Sequence, residues 1–103
     1  MSSLESKIQA DFLKWAEKQV GVWIVKYPGG IFGKTGTPDT ILCVQGKFVA
    51  IEMKKLGGDH RKMQEYQQMK IRNSGGICEF CDTLEKAKLL VLSVMGRSYV
   101  CVR

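Results

Sequence analysis

Two β-prone runs separated by one polar dipeptide constrain this chain more than any other feature. Thr40-Ile41-Leu42-Cys43-Val44 is followed by Gln45-Gly46 and then by a run from Lys47 through Glu52-Met53-Lys54. Glycine at the second turn position between two such runs favours a two-residue hairpin loop. With that loop Val44 faces Lys47, and the same register sets Asp39 opposite Glu52. A loop one residue longer would offset the pairing by one and turn Asp39 away. Opposed residues on antiparallel strands have Cβ atoms about 4.5–5.5 Å apart, so two carboxylates meet at the end of an apolar hairpin, where like charges repel. Side chains alternate along a strand, which puts Val49, Ile51 and Met53 on one face and Ala50, Glu52 and Lys54 on the other. Two acids and a lysine on one face are what a hard divalent cation with an adjacent ammonium requires. The plainer reading of Glu52 and Lys54, a surface ion pair on a strand, leaves Asp39 unexplained.

Pro38-Asp39, followed after the hairpin by Glu52-Met53-Lys54, resembles the PD-(D/E)XK nuclease signature. The fuller Gly36-Thr37-Pro38-Asp39 resembles its VRR-NUC branch, the virus-type replication-repair nucleases. Glu5 in a first helix, Gly57-Gly58 after the lysine and Gln64 early in the next helix stand where that family has counterparts. The similarity therefore spans about residues 4–88. It implies an α/β fold, a PD-(D/E)XK nuclease-like mixed central sheet flanked by helices in the order α-β-β-β-α-β-α-β. It also implies a Mg²⁺- or Mn²⁺-dependent nuclease. In that family likeness Asp39, Glu52 and the backbone carbonyl of Met53 hold the metal, with Glu5 joining directly or through water. Lys54 acts on the attacking water or the phosphate, and Gln64 orients water or a phosphate beside it. Stand-alone members resemble Holliday-junction resolvases in forming dimers. The implied protein is thus a homodimer cutting branched DNA in phage or mobile-element replication and repair. The alternatives are a flap or nicking nuclease of the same fold, or an inactive basic nucleic-acid-binding module. One departure is plain: where the family commonly has a leucine and a serine ahead of its glutamine, this chain has His60 and Arg61.

The charge balance agrees with a polyanionic partner. Sixteen Lys and Arg against ten Asp and Glu give a net charge of +6 over 103 residues, a length that fits a single domain. From Lys26 to Arg72 nine basic residues face four acids, two of them the paired carboxylates. Such a surface suits a phosphate backbone, though solvated lysines also serve solubility. The candidate DNA contacts are Lys34, Lys55, His60, Arg61 and Lys62. Lys34 sits in a connection with glycines at 29, 30, 33 and 36, which is no P-loop, so no nucleotide cofactor is expected. His60, the one histidine, fits a solvated residue or phosphate contact better than a catalytic base.

Elsewhere the periodicities are simple. Leu4, Ile8, Phe12, Trp15, Ala16 and Gln19 recur at helical spacing; Glu5 is near that stripe and also completes a capping box with Ser2. Val22–Tyr27 reads as a strand, Asp59 as the cap of a helix to about Asn73, and Ile77–Cys81 as a returning strand. Asp82 and Glu85 suggest a capping box for a helix over about 83–95, apolar nearly all round and so suited to a second copy of the chain, and Ser98–Val102 reads as a final strand. With no membrane-length apolar run and no secretory leader pattern, a cytoplasmic protein is expected, with Cys43, Cys78, Cys81 and Cys101 as thiols. The Cys78-Glu79-Phe80-Cys81 spacing lacks the second ligand pair that a structural zinc requires.

Overall fold

A computed structural model of the chain describes residues 4–26, 36–53 and 59–102; the side chains of residues 4–6, 59–60 and 97–102 lie outside that description. The element order is α1 (Leu4–Glu17), β1 (Val22–Lys26), β2 (Thr40–Val44), β3 (Lys47–Glu52), α2 (Asp59–Asn73), β4 (Ile77–Phe80) and α3 (Leu84–Val102). The strands form one sheet in the order β1-β2-β3-β4. β1, β2 and β3 are antiparallel neighbours, and β4 joins β3 in parallel after the α2 crossover. The mixed α/β class is therefore as expected.

The hairpin has the register read from its sequence. Val44 pairs with Lys47 and Thr40 with Ile51. Gln45 and Gly46 both take positive φ, at 49° and 87°, the backbone of a type I′ turn whose twist matches the flanking strands. Glycine accepts that conformation freely, while Gln45 occupies it at a cost of about 1–2 kcal/mol.

Helices cover the two faces of the sheet differently. Phe12 and Ala16 of α1 and Ala87, Val91 and Val94 of α3 meet Leu42, Val44, Val49 and Ile51 in the main core. Burial of α3 at 87, 91 and 94 follows helical spacing, and Leu89 and Leu92 stay exposed on another side. On the opposite face α2 lies by β3 and β4. Its last turn is closed by Gly75 at φ 91°, with the Gly76 amide donating to the Ile71 carbonyl at 2.9 Å. Arg72 then donates from Nε and Nη2 to the Cys78 carbonyl at 3.1 and 2.6 Å, tying α2 to β4.

Two expectations fail. The final strand over Ser98–Val102 is not formed; α3 runs on through Val102, so the order ends α-β-α. Gly96 stays within the helix, and a strand there would need a sheet edge to pair with. The cap of α3 is Thr83, whose Oγ1 accepts the Lys86 amide at 3.1 Å, while Asp82 pairs with the Lys86 ammonium at 2.9 Å.

Gly36 fixes how the segment leading into β2 meets α2. It has φ 85°, and a Cβ built on it would overlap the Met63 carbonyl and the Gln64 nitrogen. Gly36→Ala is expected to destabilise the fold by more than about 3 kcal/mol, combining left-handed strain with the overlap. Gly75→Ala, with the same sign of φ but open space around it, should cost only about 1–2 kcal/mol. Urea denaturation of the two variants checks this; equal losses would contradict the close packing at Gly36.

Candidate metal and phosphate site

The hairpin ends where its register predicts. Thr40 pairs with Ile51, so the next residues outward are Asp39, just before β2, and Glu52, the last residue of β3. The Met53 amide donates to both carboxylate oxygens of Asp39, at 3.2 Å to Oδ1 and 3.1 Å to Oδ2. The Thr40 hydroxyl donates to Oδ1 at 3.0 Å. These donors lock the Asp39 carboxylate against the end of β3. Each oxygen still has lone-pair capacity beyond them, because an ionised carboxylate offers about four acceptor sites.

Glu52 is only 2 % exposed. Removing an ionised carboxylate from water costs several kcal/mol unless positive charge or hydrogen-bond donors replace the lost hydration. The Glu52 carbonyl accepts the Cys81 amide at 2.9 Å, which carries the β3–β4 pairing one step past β4. The carboxylate thus leaves β3 from a backbone tied to β4, one residue past the Thr40–Ile51 pair, a rigid mount for a functional side chain.

Gln64 is 8 % exposed on the second turn of α2 and belongs to the backbone that abuts Gly36. Gly36, Asp39, Glu52, Met53 and Gln64 are therefore drawn into one region by the hairpin and by the α2 contact. Arg61 and Lys62 are exposed at the start of α2, Arg61 in an ion pair with Glu65 at 3.5 Å. Glu5 lies in α1 and His60 in α2, each with its side chain outside the described residues. Lys34, Lys54 and Lys55 fall wholly outside them, as does the Gly57-Gly58 pair.

Among the described residues no three His, Cys, Asp or Glu side chains gather as a metal site would need. The described donors are two carboxylates at the hairpin end, the hard oxygen chemistry that Mg²⁺ takes, often with only one or two protein carboxylates and the rest water and phosphate. The residues fit such an ion to that extent.

Two contributors lie beyond the sequence reading. The Met53 amide donates to Asp39, a role separate from that of its carbonyl, the expected ligand. Thr40 supplies a hydroxyl to the same carboxylate; Thr next to an acid at a strand start is the signal that would have found it.

The cysteine pair stands apart from this region in its chemistry. Cys78 and Cys81 are buried free thiols, and burial pushes each up to about 11 from 9.0, with the Arg72 charge pulling Cys78 slightly the other way. At neutral pH both keep their protons, while the thiolate is the form that binds zinc or attacks a disulfide.

No family model, curated protein sequence or solved structure matches this chain significantly. No helix among the described residues is long and apolar enough to cross a membrane.

The raised thiols carry a pH consequence. In the unfolded chain they ionise from about 9, in the folded one from about 11, so their contribution to stability is complete below pH 9 and is lost as pH climbs through 11. At pH 8 iodoacetamide should label exposed Cys43 and spare Cys78 and Cys81 in the folded protein, and the melting temperature should fall between pH 9 and 11. Mass spectrometry reads the labelling. Rapid modification of Cys78 or Cys81 at pH 8 without unfolding would contradict the burial.

Proposed function

We propose that this chain is a metal-dependent DNA endonuclease of the VRR-NUC type within the PD-(D/E)XK nucleases, hydrolysing phosphodiester bonds. The observation that carries the reading is the hairpin register: it places Asp39 beside the end of β3 next to a buried Glu52, in the Pro-Asp…Glu-x-Lys order of the motif. Asp39 and Glu52 would hold a Mg²⁺ or Mn²⁺ ion, with Glu5 and the Met53 carbonyl as further ligands. Such an ion supplies Lewis acidity, lowering the pKa of a water and offsetting charge that develops on the phosphate.

The chain's own residues would do the remainder. The Met53 amide and Thr40 hydroxyl hold the Asp39 carboxylate in one orientation, which removes the reorganisation it would otherwise undergo as substrate binds. Lys54, following Glu52 by two residues, would orient or deprotonate the attacking water or stabilise the crowded phosphate. Gln64 would position water or a phosphate oxygen. Lys34, Lys55, His60, Arg61 and Lys62 would contact the DNA backbone, in keeping with the net charge of +6.

Branched DNA is the proposed substrate, cut by a homodimer in phage or mobile-element replication and repair. The support for a dimer is α3, whose Leu89 and Leu92 remain 65 % and 47 % exposed after its inner side is buried. A two-fold pair presents two copies of the site, the simplest arrangement for paired incisions across a branch point.

Asp39→Asn is the variant of choice for a test. Alanine would leave the Met53 amide without its acceptor, at about 1–3 kcal/mol, whereas the asparagine carbonyl keeps that bond and loses only the charge. Cleavage of a four-way junction in Mg²⁺ should fall more than about a hundredfold in Asp39→Asn, with junction binding in EDTA retained. Full activity of that variant, or wild-type activity in excess EDTA, would sink the reading; binding without cleavage by the unaltered protein would favour the inactive module. Light scattering on the same samples should give about twice 11.6 kDa, reduced to a folded monomer by Leu89→Glu with Leu92→Glu. A native mass near 11.6 kDa would remove the dimer.

A further inference from the structure

The sheet presents one face that the described helices leave half uncovered. Leu42, Val44, Val49 and Ile51 point into the core with α1 and α3, so the residues that alternate with them point the other way. On that side Trp23, Cys43 and Phe48 are register partners across β1, β2 and β3. Val25, Ile41 and Ala50 form the next row, and Asp39 and Glu52 fall in the row after it. Trp23 is 62 % exposed and Phe48 44 %, and Cys43 and Val25 are exposed between and beside them. Beside Phe48 the last turns of α2 form a wall. A cleft of about 400 Å³ opens there, lined by Phe48, Gln67, Lys70, Ile71, Ser74 and Gly76. That is within the roughly 300–1,000 Å³ of ordinary ligand clefts.

We propose that this face binds a single-stranded nucleic-acid segment, its bases stacked on Phe48 and Trp23 and its backbone held by Lys70, and delivers that strand to Asp39 and Glu52. The delivery rests on the nuclease reading; the binding does not. Exposed aromatic rings accept the flat face of any base, and only unpaired bases offer that face, since a duplex hides it in its own stack. The cleft adds an ammonium for a phosphate, and Gln67 and Ser74 bring amide and hydroxyl groups suited to base edges. A net charge of +6 favours a polyanion over another copy of the same basic chain as the occupant. The rows also lead to the acids: Phe48 and Glu52 are on the same face of β3, about 13 Å apart along the strand, a span of a few nucleotides. The substrate class that follows is DNA with a single-stranded arm, such as a flap or an opened junction.

The test is binding in EDTA, where no cleavage interferes. Fluorescence anisotropy with a short labelled oligothymidylate, and with a hairpin duplex for comparison, is measured for the unaltered protein and for Trp23→Ala, Phe48→Ala and Lys70→Ala. Each aromatic replacement should weaken single-strand binding by about five- to a hundredfold and change duplex binding by much less. Lys70→Ala should lower the salt dependence by about one phosphate contact. Trp23 is the safer variant for folding, and a thermal melt accompanies Phe48→Ala, which also touches the region of Gly76. As an independent readout, bound oligothymidylate should slow iodoacetamide at Cys43, followed by peptide mass spectrometry. Unchanged single-strand affinity in Trp23→Ala and Phe48→Ala overturns the proposal. So does protection of Cys43 by self-association without DNA, which would make this face an interface between copies. Because the measurements exclude metal, a protein that passes them yet never cuts DNA would refute the nuclease reading alone; one that cuts DNA but fails them would refute the stacking face alone.

Discussion

The structure depends on the two-residue turn at Gln45-Gly46. Its positive φ angles fix which residue of β2 opposes which of β3, and a slip of one would exchange every inward and outward side chain of the hairpin. In the register formed, Val49 and Ile51 enter the α1–α3 core while Ala50 and Glu52 point to the opposite face of the sheet. The same pairing brings Asp39 within hydrogen-bonding distance of the Met53 amide. Core and candidate site are thus consequences of one local geometry.

That geometry brings two carboxylates to the end of an apolar hairpin, the feature on which the proposed function rests. An apolar hairpin ending in two opposed carboxylates, one of them nearly fully buried, is not what stability alone would select. Asp39 is steadied by an amide and a hydroxyl, Glu52 by a strand paired on both sides, and α2 is held close at Gly36 by the absence of a Cβ. In the proposed reading a bound ion and nearby basic side chains would add positive charge beside the two carboxylates. The row of Trp23, Cys43 and Phe48 is on the same face as the acids, the arrangement on which the proposed unpaired-strand binding rests.

Much of this was legible in the sequence because it is local. Turn chemistry, alternation and the Asp39–Glu52 opposition need only residues 36–54, and α2 and β4 are bounded by Asp59, Gly75 and Gly76 as their residue types suggest. The parts that were not legible are tertiary. Ser98–Val102 has strand-like residues, yet a strand needs a partner, and the helix capped at Thr83 continues through it. Trp23 and Phe48 read as ordinary strand residues, since whether a sheet face is covered depends on where α2 lies rather than on the strand itself. The amide of Met53 and the hydroxyl of Thr40 act on Asp39 only once the hairpin is closed.

The central claim is that Asp39 and Glu52 together hold a divalent cation. Mn²⁺ titration of the protein without DNA, followed by electron paramagnetic resonance of the free ion, tests it most directly. The unaltered chain should take up Mn²⁺ with saturation, Mg²⁺ should compete, and Glu52→Gln, which preserves shape and removes one charge, should weaken uptake by at least about tenfold. Equal Mn²⁺ uptake by Glu52→Gln and the unaltered chain, or none by either, would contradict the account.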